Sequence, residues 1–352
     1  MGIMRTEFLR AFSAVLCVSA AKTIHRENTE LTPLRCFLGL LCLLLLTVTC
    51  LAQTTEPGET IRVDSDLVDL KVSVVRLNPT LPIPALQPKD FVVLEDGKPQ
   101  EIVFFAGEDT PFDLLLLLDL SGSTSGKIKL IRDSTKRFIE STRPSDRIAV
   151  YTFSDVIQVV SPLTGDRKFL KETLKAIERP VGGTNFWDSL SYVVSSGFTG
   201  EKGVRRRAVV VMTDGVDNAL PDVFGDGSRT TFEQLLDKII SSDTIVFPVY
   251  LDTEKQSTKR NRVPDTAYTT ARNQLAQLAE ICGTKLYKAN KLSDLDMVYE
   301  QVIKDLAMVY SLGYKPSNPA RDGKWRSVVV QLLDRPELLA RSRRGYYARS
   351  DQ

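Results

Sequence analysis

Histidine is almost missing from this chain. A single one, His25, occurs among 352 residues, and of five cysteines four (Cys17, Cys36, Cys42 and Cys50) lie within the first fifty positions, leaving Cys282 alone downstream. Beyond residue 52 there is therefore no imidazole for a Ser-His-Asp or Cys-His relay and none to ligate a metal. A lone cysteine closes no internal disulfide. An excess of charge is missing too: 46 Lys and Arg stand against 44 Asp and Glu, a formal net charge of +2. That balance argues against a nucleic-acid or general polyanion binder.

What is present begins with a segment that does not read as folded domain. CFLGLLCLLLLTVTCLA, residues 36–52, is apolar and uncharged, follows Arg35, and ends in a small residue before Gln53. It predicts export, with residues 1–52 as a signal that is removed or, at the short limit of a bilayer span, as a retained N-terminal anchor. The expected location is periplasmic or secreted, with the inner membrane involved through this segment if it stays. Residues 53–61 read as a polar linker. The remainder is long enough for one large core or two modest ones.

The patterning then divides in two. RVDSDLVDLKVSVVRL, 62–77, alternates like a half-buried strand, and PKDFVVLEDGKPQEIVFFAG, 88–107, predicts two strands joined at Asp96-Gly97. From Phe112 the signal changes. DLLLLLDL carries five leucines in a row, too continuous for a strand with one wet face and suited to one buried on both. Helical spacing follows over 127–140 (Ile128, Ile131, Thr135, Phe138), then RIAVYTFS, 147–154, as a strand, helices over 167–177 and 186–196, the apolar strand AVVVMTD at 208–214, a helix on Phe232, Leu235, Leu236, Ile239 and Ile240, and TIVFPVYLD at 244–252. A helix ending at Gly283, a short strand KLYKA and a last helix capped by Ser293 complete the series. The alternation predicts an α/β fold: a doubly wound, mainly parallel, Rossmann-like sheet flanked by helices.

In such sheets ligands bind beyond the carboxyl ends of the strands. Asp119 and Asp214 each end an apolar strand, Ser121 and Ser123 follow the first, and Gly182-Gly183-Thr184 forms a turn before a helix. Two carboxylates and several hydroxyls from three loops gather an all-oxygen donor set, which selects magnesium, calcium or manganese over zinc or copper.

These residues carry a resemblance. DLSGS at 119–123 resembles the DxSxS motif of the von Willebrand factor A-type (VWA) domain, Thr184 in GGTNFWDSL sits where that family has its threonine, and TDGVDN at 213–218 is similar to its TDG segment. The resemblance implies a metal-ion-dependent adhesion site (MIDAS): Ser121, Ser123 and Thr184 contacting the ion, Asp119 and Asp214 acting directly or through water, and a sixth position for a partner's carboxylate. It implies Mg2+, with Mn2+ or Ca2+ as alternatives, a protein ligand presenting Asp or Glu, and no enzymatic activity. LQPKDFVVLEDGKPQEI, 86–102, LGYKPSNPARDGKWRSVVV, 312–330, and ARSRRGYYA, 340–348, further resemble the flanks of a bacterial VWFA-related family. That likeness implies a VWA domain over 111–308 inserted between an N-terminal β-rich segment, 62–110, and a C-terminal one, 309–352, which pack together as one small β-rich unit.

Other features have plainer readings. Asp217 is expected to be solvated or to support the ligands, Trp187 and Cys282 to be core, Arg205, Arg206 and Arg207 to form a solvated edge, and Arg341, Arg343 and Arg344 to decorate a terminal strand. The loops at 154–164, 219–230 and 252–266 are candidates for the rim of the site. The rival functions are a nucleotide-binding protein or a metal-dependent hydrolase using the same oxygen-ligand rim. GSTSGK, 122–127, has the wrong glycine spacing for a phosphate loop, with Ile128 in place of the hydroxyl. Its centre is Thr124 where a nucleophile elbow needs serine.

Overall fold

Five buried leucines can persist in one strand only where both faces of a sheet are covered, and the architecture is built around that requirement. The computed structural model describes residues 67–77, 85–122, 128–178, 182–198, 205–242, 244–254 and 263–350. All belong to one compact unit beginning at Ser65. The apolar segment 36–52 and the linker lie outside the described residues, among which no helix is long and apolar enough to cross a membrane.

The chain opens with β1 (Val68–Arg76), β2 (Phe91–Glu95), β3 (Lys98–Gln100) and β4 (Ile102–Ala106). The alternating centre then runs β5 (Phe112–Asp119), α1 (Ile128–Ser141), β6 (Arg147–Phe153), β7 (Ile157–Thr164), α2 (Arg167–Thr173), α3 (Phe186–Ser196), β8 (Arg206–Thr213), α4 (Phe232–Ser241), β9 (Thr244–Leu251), α5 (Asp265–Ile281), β10 (Tyr287–Ala289) and α6 (Leu295–Ala307). It closes with β11 (Val309–Tyr314), β12 (Trp325–Leu332), β13 (Leu338–Arg341) and β14 (Gly345–Tyr347).

The central sheet has the order β10-β9-β8-β5-β6-β7, parallel except for β7. β5 lies in its middle with all eight residues buried, and β9 is likewise buried throughout. α1 and α6 pack together, Phe138 against Tyr299 edge-on at 5.0 Å between ring centroids. α3 packs on α4 through Trp187 and Phe232. Connections from β5 run towards β6 on one side, and those from β8 towards β9 on the other. The sheet's topological switch point therefore falls between β5 and β8, where an open α/β sheet leaves a crevice.

The flanking strands form two antiparallel sheets, β13-β1-β11-β4 and β14-β12-β2-β3, around a second apolar core that includes Leu70, Val72, Phe91, Tyr310 and Leu312. Each sheet draws strands from both ends of the chain: β1 pairs with β11 and β13, and β2 with β12. The expected second strand of the hairpin at Asp96-Gly97 is in fact two. β3 pairs with β2, while β4 crosses to β11.

Three local expectations change. Residues 157–164, read as loop, form β7, which turns back on β6 as an edge strand with Val159 exposed. An irregular, partly polar edge strand lacks the apolar run that marks an interior one. Ser293 does not cap α6 but sits in a short 3-10 turn ahead of it, with Asp294 at the cap position. The arginine runs are solvated edges only in part, with Arg344 exposed and others turned inward. Arg206 is 1% exposed, lies over the Phe112 ring at 4.0 Å and donates to the carbonyls of Val309, Glu108 and Thr110. Arg205 donates to Asp113 at 2.6 Å. Arg343 reaches inward to the carbonyls of Ile240 and Asp69, both at 2.9 Å. Strand ends and the chain crossing between the two cores leave buried carbonyls that need donors, and long guanidinium side chains reach them. Arg344 pairs with Glu280.

Candidate metal centre

Asp119 ends β5 and Thr213 ends β8, and the parallel register that pairs Leu118 with Met212 sets them side by side at the switch point. Asp119 is 0% exposed. Its Oδ1 accepts from the Ser121 N–H at 2.8 Å, and its Oδ2 from the Thr213 hydroxyl at 2.6 Å. Asp214, the next residue after β8, is also buried; Oδ1 accepts from the Val216 N–H at 3.1 Å and Oδ2 from the Thr253 hydroxyl at 2.6 Å. Thr253 follows β9, so three strand ends fix the two carboxylates. Burial and the neighbouring Asp214 charge push the Asp119 carboxyl up to about 7. Two desolvated carboxylates at neighbouring strand ends repel, and a dication would relieve both costs at once.

Thr184 approaches from the third loop. Its N–H donates to Asn218 Oδ1 at 3.2 Å, and the Asn218 N–H donates to the Thr184 carbonyl at 2.9 Å, so the β8 loop grips it from both sides. Gly182, with φ of +117°, lets this loop close on Asp155, where a Cβ would come within 2.4 Å of the carboxylate. Asn185 then ties the turn to β6: its N–H donates to the Ser154 carbonyl at 2.8 Å and its Nδ2 to the Asp155 carbonyl at 2.9 Å.

Asp217 overturns half of its sequence reading, because it is not solvated. It is 0% exposed and gathers four donors: the N–H groups of Ala219 (2.8 Å), Ser228 (2.9 Å) and Trp187 (3.0 Å), and the Ser228 hydroxyl (2.6 Å). Backbone amides at a helix start and in a tight loop need an acceptor when buried, and Asp217 serves two loops at once. Trp187 and Cys282 are core as expected, and burial pushes the Cys282 thiol up to about 12.

Of the five predicted site residues, the structure brings Asp119, Ser121 and Asp214 to the switch point and holds Thr184 to the Asp214 loop through Asn218. Ser123 lies in 123–127, outside the described residues. The same is true of most of the phosphate-loop look-alike and of residues 255–262 of the expected rim. The residues that sequence reading missed are Thr213, Thr253 and Asn218, which aim the carboxylates and the threonine. Among the described residues no group of three or more His, Cys, Asp or Glu side chains is placed to hold a metal, so a cation at this point would need hydroxyl ligands beside the two carboxylates. The donor chemistry and the mutual repulsion of the carboxylates fit a hard divalent ion.

Fold and rim together define a class: an open α/β domain that carries a carboxylate-and-hydroxyl cluster at the switch point of its sheet. The family model of the von Willebrand factor type A domain matches residues 113–301, more than half of the 352, and the chain belongs to that family. Among solved structures, proximal thread matrix protein 1 from the mussel byssus is similar at 18% identity and a TM-score of 0.44, over 56% of this chain and 49% of that one. The same mussel protein with a zinc-occupied MIDAS motif gives 18% and 0.43, over 56% and 48%. The conserved hypothetical protein BatB from Bacteroides thetaiotaomicron gives 14% and 0.42, over 55% of this chain and 98% of its own. The chain thus spans about half the length of the mussel protein it matches.

Proposed function

We propose that this VWA protein is an exported, non-enzymatic adhesion or scaffold protein that binds a protein partner through a divalent ion. Asp119, Ser121, Ser123, Thr184 and Asp214 hold the ion, Mg2+ first and Mn2+ or Ca2+ as alternatives, and an Asp or Glu of the partner completes its shell. The single observation that carries this reading is the pair of buried carboxylates at the β5–β8 switch point, each held by a threonine hydroxyl. When bound, the ion supplies a positive centre that can accept one more oxygen ligand. The residues do the rest: Thr213 and Thr253 orient the carboxylates, and Asn218 and Asp217 hold the Thr184 turn against them. Neutral hydroxyls fill ligand positions without adding negative charge, which leaves the ion attractive to an incoming anion. The apolar segment 36–52 supports export.

The test is isothermal titration of Mg2+, Mn2+ and Ca2+ into the full chain and into Asp119→Ala, with circular dichroism of both. One saturable site in the wild type, absent from a variant with an unchanged spectrum, is the expected result. A folded wild type that takes up none of the three ions sinks the proposal, and an unfolded Asp119→Ala assigns the cluster to structure instead.

A further inference from the structure

Two apolar side chains stand in water beside this site. Phe224, in the loop between β8 and α4, is 98% exposed, and Val156, in the turn between β6 and β7, is 58% exposed. Isolated exposed apolar residues are ordinary on protein surfaces; the place of these two is not. Each lies on a loop bonded directly to the Thr184 turn. On one side, Asn185 donates to the carbonyls of Ser154 and Asp155, the two residues before Val156. On the other, Asn218 is hydrogen-bonded to Thr184, and Gly225, next to Phe224, packs so closely on it that a Cβ would come 2.4 Å from Asn218 Nδ2.

The Phe224 loop is also braced. Leu220 is buried and Val223 packs on the main core. Asp217 holds Ala219 and Ser228, and Asp188 accepts from the N–H groups of Arg229 (2.9 Å) and Thr230 (2.8 Å). The ring is presented on a fixed mount, so docking it costs side-chain rotamer freedom but no ordering of the loop beneath it.

We propose that Val156 and Phe224 are specificity-determining jaws, carried by the two loops that hold the Thr184 turn. The partner they fit is a protein segment whose metal-binding Asp or Glu is flanked on both sides by apolar side chains. This rests on the metal-site reading above. Asp155, Asp222 and Asp226, all exposed, stand beside the jaws, so like-charge repulsion disfavours a second acidic residue in the segment and favours Lys or Arg outside the apolar pair.

The experiment is an array of short immobilised peptides with a central Asp, Glu or Ala and randomised flanks. It is probed with the full chain, Phe224→Ser and Val156→Ser, in Mg2+ and in EDTA. Neither substitution touches a proposed ligand, so Mg2+ uptake by calorimetry is expected to be unchanged in both. The wild type is expected to capture, only with Mg2+, acid-centred peptides with apolar residues on both sides. Each variant loses that preference on one side and binds the best wild-type peptide roughly tenfold more weakly. Acid-centred selection without apolar flanks, selection identical in the variants, or no capture at all overturns the jaws while calorimetric Mg2+ binding keeps the metal site. Capture indifferent to both Mg2+ and the central acid overturns the metal-site reading together with the jaws.

Discussion

A buried carboxylate is only as useful as the groups that aim it, and at this site Asp119 and Asp214 are each aimed by a threonine hydroxyl and a backbone amide. Thr253 donates to Asp214 across 39 positions of sequence, so Thr253→Val leaves Oδ1 on the Val216 N–H but takes the hydroxyl donor from Oδ2. Supporting hydrogen bonds of this kind are worth about 10–100-fold in metal affinity. Calorimetric Mg2+ titration of Thr253→Val is expected to show a weakening in that range, with the fold unchanged. Asp113 is the opposite kind of aspartate. Burial pushes its carboxyl up, but the hydrogen bonds from Arg147 (2.8 and 2.6 Å) and Arg205 (2.6 Å) outweigh burial and hold it below its ordinary 3.8. A depressed folded value means the unfolded chain takes up the proton first, so this group's stabilisation is whole above pH 3.8 and is lost as pH falls below it. Urea denaturation of wild type and Asp113→Asn is expected to differ by about 1–2 kcal/mol at neutral pH, with the gap closing in acid. Asp119 could be named from sequence because it ends an apolar strand with hydroxyls behind it. Thr253 could not, because nothing local marks a threonine whose partner arrives from another strand.

Among the elements, β5 carries the most weight. Leu116 is wholly buried at the centre of the sheet with neighbours on both faces. Leu116→Ala removes that packing where the sheet cannot collapse to fill the space, and is expected to cost about 2–5 kcal/mol in denaturant unfolding. The turn before α3 depends on backbone freedom. Gly182→Ala meets both a positive φ and the Asp155 carboxylate at 2.4 Å. Strain of that kind is worth about 1–3 kcal/mol, and because the turn presents Thr184, Mg2+ affinity is expected to fall with stability. The limits of α3 were readable residue for residue, since its apolar spacing is strong and begins right after the turn. β7 was not, because one edge is unpaired and its exposed residues break the apolar pattern that identifies interior strands.

At the scale of the whole molecule, two cores meet at the end of the central sheet opposite the site. β5 and β8 begin there, and β11 leaves α6 there, so the donors of Arg206 staple the flanking sheets to the α/β domain. Arg206→Met keeps the apolar stem over Phe112 but takes a donor from three carbonyls, of which Glu108 and Thr110 keep a second donor in Arg143. The expected loss is roughly 1–3 kcal/mol in urea unfolding, without change in Mg2+ binding at the distant rim. Interleaving strands from both termini ties the ends of the described chain into shared sheets, so loosening β11 also loosens β1.

Periodicity alone determined the kind of fold here. A short leucine run bounded by aspartates fits an interior strand, amphipathic spacing between such strands fits helix, and their alternation gives a helix-covered parallel sheet. Chemistry at the strand ends determined the oxygen donor set, because the loops that follow β5 and β8 carry neither histidine nor cysteine. Only the tertiary structure decided which side chains were solvated and which were buried supports. Arg206, Asp217 and Thr253 look like ordinary polar loop and edge residues in sequence. Each is committed to groups brought from elsewhere, and hydrogen-bond satisfaction in a folded interior depends on where those distant groups arrive.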